Sequence, residues 1–426
     1  MTKARVLFAS LIGTTIEFFD FYIYGTAAVL VFPQLFFPDS DPATSVLQSF
    51  ATFSLAFFAR PAGSALFGHF GDRIGRKATL VAALLTMGLS TVAIGLLPTY
   101  ASIGIAAPAL LALCRLGQGL GLGGEWGGAV LLATENAPRG KESWYGMFPQ
   151  LGAPLGFLCS TGIFVLLGGV LGNDAFPAWG WRIPFVASAA LVAVGLWVRL
   201  SLTETPEFQR AIERQERVRV PILVLVREQP RTLVLATFAA VTTFVVFYLM
   251  TVFTLSWGTT QLGFPRQDFL LLQMVGVLFF ALTIPLTAAA ADRVGRWPIL
   301  IASSIAAIFF GLTFAPLFSS SNSVTVTVFL SLGLALMGCT YGALGSALAE
   351  LFPTAVRYTG ASLAFNLAGI LGGSLAPFIA QNLARTYGIG FVGYYLSAAA
   401  AVTLAAQLLL QRHSTRPESL TRRQPG

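Results

Sequence analysis

Charge is scarce in this chain: Asp, Glu, Lys and Arg make up only 10% of 426 residues, less than half the ~25% of a soluble domain. A soluble chain of this length divides into roughly three domains, yet no polar linker long enough to part them is present. A soluble enzyme and a nucleic-acid binder are thereby excluded, despite a net charge of +8. There are two histidines, His69 and His413, and three cysteines, Cys114, Cys159 and Cys339, all three inside apolar runs. Neither metal-spaced histidines nor a disulfide framework can be built from them. No phosphate-cradling loop and no paired nucleophile and base is readable, which argues against an ATP-driven pump and a membrane enzyme. No cofactor is expected.

What fills the chain is apolar residue, 55% of the total, gathered into runs of about twenty, each long enough to cross a ~30 Å hydrocarbon layer as a helix. A membrane β-barrel is excluded by period, because barrel strands alternate whereas Leu80 to Leu97 and Phe391 to Leu410 are continuously apolar. Met1 to Arg5 is too short for a cleaved signal sequence, so the first helix is expected to remain. Helices are predicted at about 7–32, 47–68, 78–97, 105–133, 146–170, 183–202, 231–256, 268–290, 298–317, 323–349, 360–382 and 390–411. Basic residues stay with cytoplasmic loops. With both termini inside, 21 of the 26 Lys and Arg are cytoplasmic; Arg182, Arg266 and Arg385 lie outside, and Arg60 and Arg115 within the membrane.

The chain repeats itself. Asp72-Arg73-Ile-Gly75-Arg76 follows helix 2, and Asp292-Arg293-Val-Gly295-Arg296 follows helix 8. Glu135-Asn-Ala-Pro138 and Glu350-Leu-Phe-Pro353 end helices 4 and 10. Both pairs are separated by nearly the same length of chain, as an internal repeat requires. A parallel duplication places a binding site between the halves near mid-membrane. The expected organisation is a six-helix bundle over 1–202, a linker over 203–230, a second bundle over 231–411 and a short tail over 412–426. Thr205-Pro206-Glu207 followed by charges of alternating sign reads as a short amphipathic helix on the membrane surface.

Gly68-x-x-x-Asp72-Arg73-x-Gly75-Arg76-Lys77 resembles the loop signature of the major facilitator superfamily. Within it the chain looks like the metabolite:proton symporters, the group of shikimate, 2-oxoglutarate, citrate and proline/betaine carriers. The matching stretches include Gly13-Thr-Thr-Ile-Glu17-Phe-Phe-Asp20-Phe-Tyr-Ile-Tyr24-Gly25, Arg60-Pro61-x-Gly63, Arg115-Leu-Gly-Gln118-Gly119, Gly124-Glu125-Trp126-Gly127-Gly128 and Trp179-Gly180-Trp181-Arg182-Ile-Pro184. The shikimate-type branch looks nearest. The tail, Arg412 to Gly426, departs from the osmosensing proline/betaine carriers, being too short for their long coiled coil. The resemblance implies a twelve-helix, all-α major facilitator fold in an inner membrane, working as a monomer.

Ionisable side chains at bilayer depth are costly and mark function by default. Glu17 and Asp20 are three apart on helix 1, so they share a face, ~5–6 Å apart, and cannot easily both ionise in a dry site. On helix 4, Arg115, Gln118 and Glu125 form a second polar stripe. The resemblance implies that helices 1, 4, 7 and 10 line a central cavity, which would bring the stripes together. Arg115 would then neutralise a helix-1 carboxylate or hold a substrate carboxylate by a two-pronged hydrogen bond, and that competition would couple binding to proton release. Glu17, Asp20 and Glu125 are accordingly the candidate proton carriers. Arg115, Tyr24, Gln118, Gln150, Tyr248, Asn366 and Arg60 are the candidate substrate contacts, and Thr251, Trp257 and Tyr341 weaker ones. Plain helix–helix pairing of the same charges is the competing explanation.

Gly68, Asp72, Arg73, Gly75 and Arg76, with Glu135, read as a cytoplasmic latch, and Asp292, Arg293, Arg296, Glu350 and Arg357 as its copy. Asp72 suits a helix amino terminus in the other half; the resemblance implies helix 11. The expected function is proton-coupled uptake of a small carboxylate-bearing metabolite, shikimate-like by branch, with protons and membrane lipid as the other partners. A proline- or betaine-type zwitterion is the alternative cargo, and a non-transporting metabolite sensor the alternative of another class.

Overall fold

The computed structural model describes residues 3–74, 76–200, 221–319, 321–353 and 356–414, excepting the side chains of 3–6, 68–80, 173, 198–199, 221 and 413–414. Among these there is no strand. Twelve membrane-length segments follow in order. In the first half they are α1 (Lys3–Leu30), α2 (Pro42–Ile74), α3 (Arg76–Leu96), α4 (in two pieces, Ala106–Gly123 and Trp126–Glu135), α5 (Glu142–Ala175) and α6 (Arg182–Leu200). The second half holds α7 (Pro230–Tyr248, continued by Thr254–Thr260), α8 (Arg266–Val294), α9 (Arg296–Leu312) and α10 (Ser323–Tyr341, continued by Leu344–Glu350). It ends with α11 (Arg357–Ala368, continued by Ala376–Tyr387) and α12 (Ile389–Ser414). Nine of the twelve are long and apolar throughout; α3 and α9 are shorter and α4 is interrupted at Gly124 and Glu125.

Each predicted helix has its counterpart, and most differences lie at the ends. α2 runs from Pro42 to Ile74 and α3 starts at Arg76, because helices continue past the hydrocarbon layer where apolar periodicity no longer marks them. Asp41 starts α2 by accepting from the Ala43 and Thr44 backbone N–H groups. With the Thr44 hydroxyl added, those bonds hold its carboxyl below the ordinary range. α7 and α11 each carry a π-helical turn, Leu249–Phe253 and Gly369–Ser374. Four short helices, Phe32–Phe36, Tyr100–Ile103, Pro221–Glu228 and Phe314–Leu317, add to the expected set. The surface helix expected after Thr205 lies outside the described residues, as does most of the tail.

The duplication is visible in the packing. α1 lies on α5, α2 on α4 and α3 on α6; their counterparts α7 on α11, α8 on α10 and α9 on α12 repeat the pattern. The halves meet chiefly through α5 on α8 and α2 on α11, again a symmetric pair of contacts.

Glycine permits the closest approach. A Cβ on Gly63 of α2 would strike the Leu120 carbonyl, and one on Gly119 or Gly123 of α4 the carbonyl of Ala56 or Arg60. With no hydrophobic drive between helices in lipid, such close packing holds them together. Gly63→Ala is therefore expected to cost about 1–3 kcal/mol, the usual penalty of overpacking, read as a lower unfolding temperature in detergent. Gly13→Ala, where a Cβ meets nothing within 4 Å, should leave that temperature unchanged or raised.

Candidate functional site between the two halves

A cavity of about 30 Å³ lies between the halves, lined from the first by Glu17, Tyr22, Arg60 and Trp126 and from the second by Phe244, Tyr248, Tyr341 and Asn366, among others. That is room for a water molecule or two. The helices close around it on both sides. Toward the α4–α5 connection, Trp126 stacks on Phe365 with centroids 3.6 Å apart, and the Gln150 amide donates to the Tyr341 carbonyl at 3.1 Å. Asn366 donates to Ser64 Oγ at 2.9 Å and to the Gly123 carbonyl at 3.2 Å; the Tyr358 hydroxyl donates to the Gly124 carbonyl. On the other side, Tyr248 packs edge-on against Phe21, Phe53 and Phe57, and Ser54 Oγ donates to the Ser374 carbonyl at 2.8 Å. A smaller space of about 10 Å³ follows on that side, and Tyr22 and Tyr248 line both.

Arg60 is the cation of this cavity among the described residues lining it. Pro61 stands next to it inside α2, where a missing N–H and a ring clash loosen the helix. The guanidinium carbon sits 4.5 Å from the Phe21 ring centre and 4.8 Å from that of Phe57. Such contacts partly offset the loss of hydration. Arg60 is 6% exposed, and its Nε has no hydrogen-bond partner. Glu17, also buried, lines the same cavity and lies within electrostatic reach of Arg60.

Asp20 does not share that view. Its Oδ1 accepts from Ser188 Oγ of α6 at 2.6 Å, its Oδ2 is buried without a partner, and the charge acting on it is that of Glu125. Three residues fall short of a full helical turn, which leaves the two side chains about 60° apart around the axis. α1 stands between the cavity and the interior of its own half, and that angle is enough to separate them. Glu17 faces the cavity; Asp20 faces α3 and α6.

Arg115 is wholly buried within the first half and does not line the cavity. Its guanidinium carbon lies 4.4 Å from the Phe21 ring, 4.0 Å from Tyr24 and 4.9 Å from Phe53. It donates to the Phe53 carbonyl at 3.3 Å and to Gln118 Oε1 at 2.9 Å. Gln118 passes the chain on to Thr91 Oγ1, and Tyr24 donates to Thr52 Oγ1 at 2.9 Å. Three of the expected substrate contacts, Arg115, Tyr24 and Gln118, thus form a polar core beside the cavity. Arg60, Tyr248 and Asn366 line it, and Gln150 supports its wall by accepting from Trp126 Nε1 at 3.0 Å. Glu125, 3% exposed, sits at the break in α4.

At the α4–α5 end, Asp292 accepts from the backbone N–H groups of Ser143 and Trp144, each at 2.9 Å. These are first-turn donors of α5, where partial positive charge collects. Arg296 lies between Glu142, at 3.1 Å, and Glu350, and Ser143 Oγ meets Ser346 Oγ at 3.0 Å. The turn between α8 and α9 rests on Gly295, whose φ of 97° disfavours a side chain. Arg293 is exposed, and Arg357 donates back to the Phe352 carbonyl. Glu135 ends the second piece of α4. The side chains of Asp72, Arg73 and Arg76, with Gly68 and Gly75, lie outside the description, so the first copy of the latch is not seen.

Several site residues escaped the sequence reading. Gln273 of α8 donates to the Met250 and Thr251 carbonyls at 3.0 and 2.7 Å, giving two carbonyls of the π-helical turn in α7 a donor. Its signal was present, a lone amide in an apolar run. Tyr22 and Ser188 carried no comparable mark.

The profile of the major facilitator superfamily matches residues 10–377. The inner membrane metabolite transport protein YhjE of Escherichia coli is 55% identical over 98% of this chain and 96% of its own length. The shikimate transporter of the same organism is 36% identical over 96% and 94%. A proline/betaine transporter of Salmonella typhimurium is 31% identical over 97% and 84%. Among solved structures, a D-xylose–proton symporter superposes with a TM-score of 0.74 at 16% identity, covering 95% of this chain and 96% of that one. The chain belongs to the major facilitator superfamily and is a multi-pass membrane transporter, not an enzyme.

Proposed function

We propose that the protein carries a small carboxylate-bearing metabolite together with a proton, by alternating access. The observation that carries this reading is the placement of Glu17 and Arg60, opposite charges lining a cavity between the two halves. Arg60 can hold one carboxylate in a two-pronged hydrogen bond. When the solute's carboxylate takes up the Arg60 charge, the ionised form of Glu17 is less favoured in a dry site and Glu17 binds a proton. Cargo and proton then cross together, and the reverse exchange on the far side releases both. Asp20 and Glu125, in the polar interior behind α1, are the further carboxylates able to hold the proton.

The names of the relatives support a metabolite as cargo, shikimate and proline or betaine among the possibilities, and an inner-membrane location. A zwitterion would also meet opposite charges here. Once Glu17 is protonated, however, no carboxylate among the described lining residues remains for an ammonium group, which favours a plain acid. The distribution of its basic residues supports cytoplasmic placement of both termini, and the family resemblance supports a monomer in lipid. The cluster of Asp292, Arg296, Glu142 and Glu350 then closes the cytoplasmic side.

Liposomes holding the purified protein should accumulate labelled shikimate, proline or betaine when the outside is made acid, beyond the leak into protein-free vesicles. Flux indifferent to the acid gradient would remove the proton from the account. A sensor would accumulate nothing.

Asp292→Asn tests the latch. It weakens two charge-assisted bonds, each worth about 1.5–3 kcal/mol, and should open the cytoplasmic side about ten- to a hundredfold more often. The readout is thiol labelling of a cysteine placed at the buried Ser346 in a background without other cysteines. Labelling no faster than in the parent would show that these bonds do not hold the closed state.

A further inference from the structure

We infer that Gln150 and Asn366 are twin catches, one from each half, that hold the cytoplasmic side shut by bonding the interrupted backbones of α10 and α4. This rests on the transport reading above, and it gives both residues a part in the conformational cycle rather than a contact with cargo.

Both helices are broken by two turn residues, Gly124 and Glu125 in α4, Gly342 and Ala343 in α10. At the first break the Glu125 N–H reaches back to the Leu122 carbonyl at 3.3 Å, and the ladder resumes with Ala129 on Glu125 at 3.1 Å. At the second it resumes with Ala347 on Ala343, also at 3.1 Å. The carbonyls of Gly123, Gly124 and Tyr341 are left without a main-chain donor among the described residues. The opposite half supplies a donor to each. Asn366 bonds Gly123 at 3.2 Å, Gln150 bonds Tyr341 at 3.1 Å, and the Tyr358 hydroxyl bonds Gly124. Gly123 and Tyr341 are each the last residue before the break. Gln150 and Asn366 are separated by nearly the same length of chain as Glu135 and Glu350, so the catches are duplicated as the fold is.

Each break turns the second piece of its helix toward the other half. Trp126, the first residue of that piece in α4, lies flat on Phe365 of α11, and Ser346 of α10 meets Ser143 of α5. A buried carbonyl without a donor is costly. The breaks are therefore stable while the halves touch, or once water has entered between them. Trp126, Tyr341 and Asn366 also line the cavity. A metabolite must widen that space to enter it, and widening draws the catches apart.

Spin labels at the exposed Arg139 and Arg293, one on each half, test this in the full-length protein in lipid, with its native cysteines replaced. Their separation reads the ratio of open to closed cytoplasmic sides with no solute present. Gln150→Met should raise that ratio about five- to fiftyfold, because it leaves the Tyr341 carbonyl bare in the closed state alone. Asn366→Leu should raise it about two- to tenfold, since Ser64 Oγ still donates to Gly123. Tyr358→Phe, which removes a single hydroxyl and so disturbs folding least, should act by a similar factor. Gly311→Ala, whose Cβ would strike the Gly393 carbonyl inside the second half, should lower the unfolding temperature and leave the ratio alone. Unchanged ratios in the three variants, or an equal rise in Gly311→Ala, overturn the inference. Unchanged ratios with a raised KM would make Gln150 and Asn366 cargo contacts instead. Shifted ratios in a protein that accumulates no solute under an acid gradient would leave the catches standing and remove the transport reading alone.

Discussion

Arg60→Met should lower solute uptake into liposomes by about two to three orders of magnitude while leaving the unfolding temperature close to that of the parent. Methionine keeps the apolar stem against Phe21 and Phe57 but offers the incoming carboxylate nothing. Removing one partner of a buried pair costs roughly 3–5 kcal/mol, and every ~1.4 kcal/mol is tenfold. Arg60→Lys, which keeps the charge and loses the planar fork, should raise KM about tenfold with a smaller change in the maximal rate. Arg115→Met provides the contrast. Its guanidinium lies among Phe21, Tyr24 and Phe53, outside the cavity lining, so its loss should appear first in the unfolding temperature and yield. A KM that responds to Arg115 and ignores Arg60 would move the carboxylate anchor to helix 4.

Glu17→Gln is the second large effect. Glutamine fills the same space beside Arg60 but cannot take up the proton. Exchange of labelled for unlabelled solute should persist, while accumulation driven by an acid gradient should fall to the level of protein-free vesicles. Asp20→Asn separates the two carboxylates of helix 1. Held by Ser188 away from the cavity, Asp20 would matter to driven uptake only if the proton travels behind α1. Retained driven uptake in Glu17→Gln with loss in Asp20→Asn would make Asp20 the carrier and Glu17 a counter-charge.

Much of the architecture was legible in the order of residues. Scarce charge and long apolar runs announced the membrane, and Asp72 with Asp292 and Glu135 with Glu350 announced the duplication that the helix pairings display. Intramembrane charge picked out Glu17 and Arg60, both of which line the cavity. What a linear reading could not settle was which way each charge turns. The spacing of Glu17 and Asp20 suggested a shared face, yet a fraction of a turn is decisive when one helix borders both cavity and bundle interior. Arg115 was expected to need a carboxylate, but three aromatic rings and Gln118 surround it, and their convergence from α1, α2 and α4 is a tertiary fact. The π-helical turns in α7 and α11 were equally hidden, because the residues that stabilise them, such as Gln273, come from neighbouring helices.

The exchange at Arg60 has a direct signature. In a weakly buffered solution near neutral pH, adding a transported acid in its ionised form to the purified protein should draw protons out of solution, toward one per molecule bound. Glu17→Gln should bind the acid without that uptake. Saturable binding with no proton uptake in the parent protein, or the same uptake in Glu17→Gln, would contradict the claim that solute and Glu17 compete for Arg60.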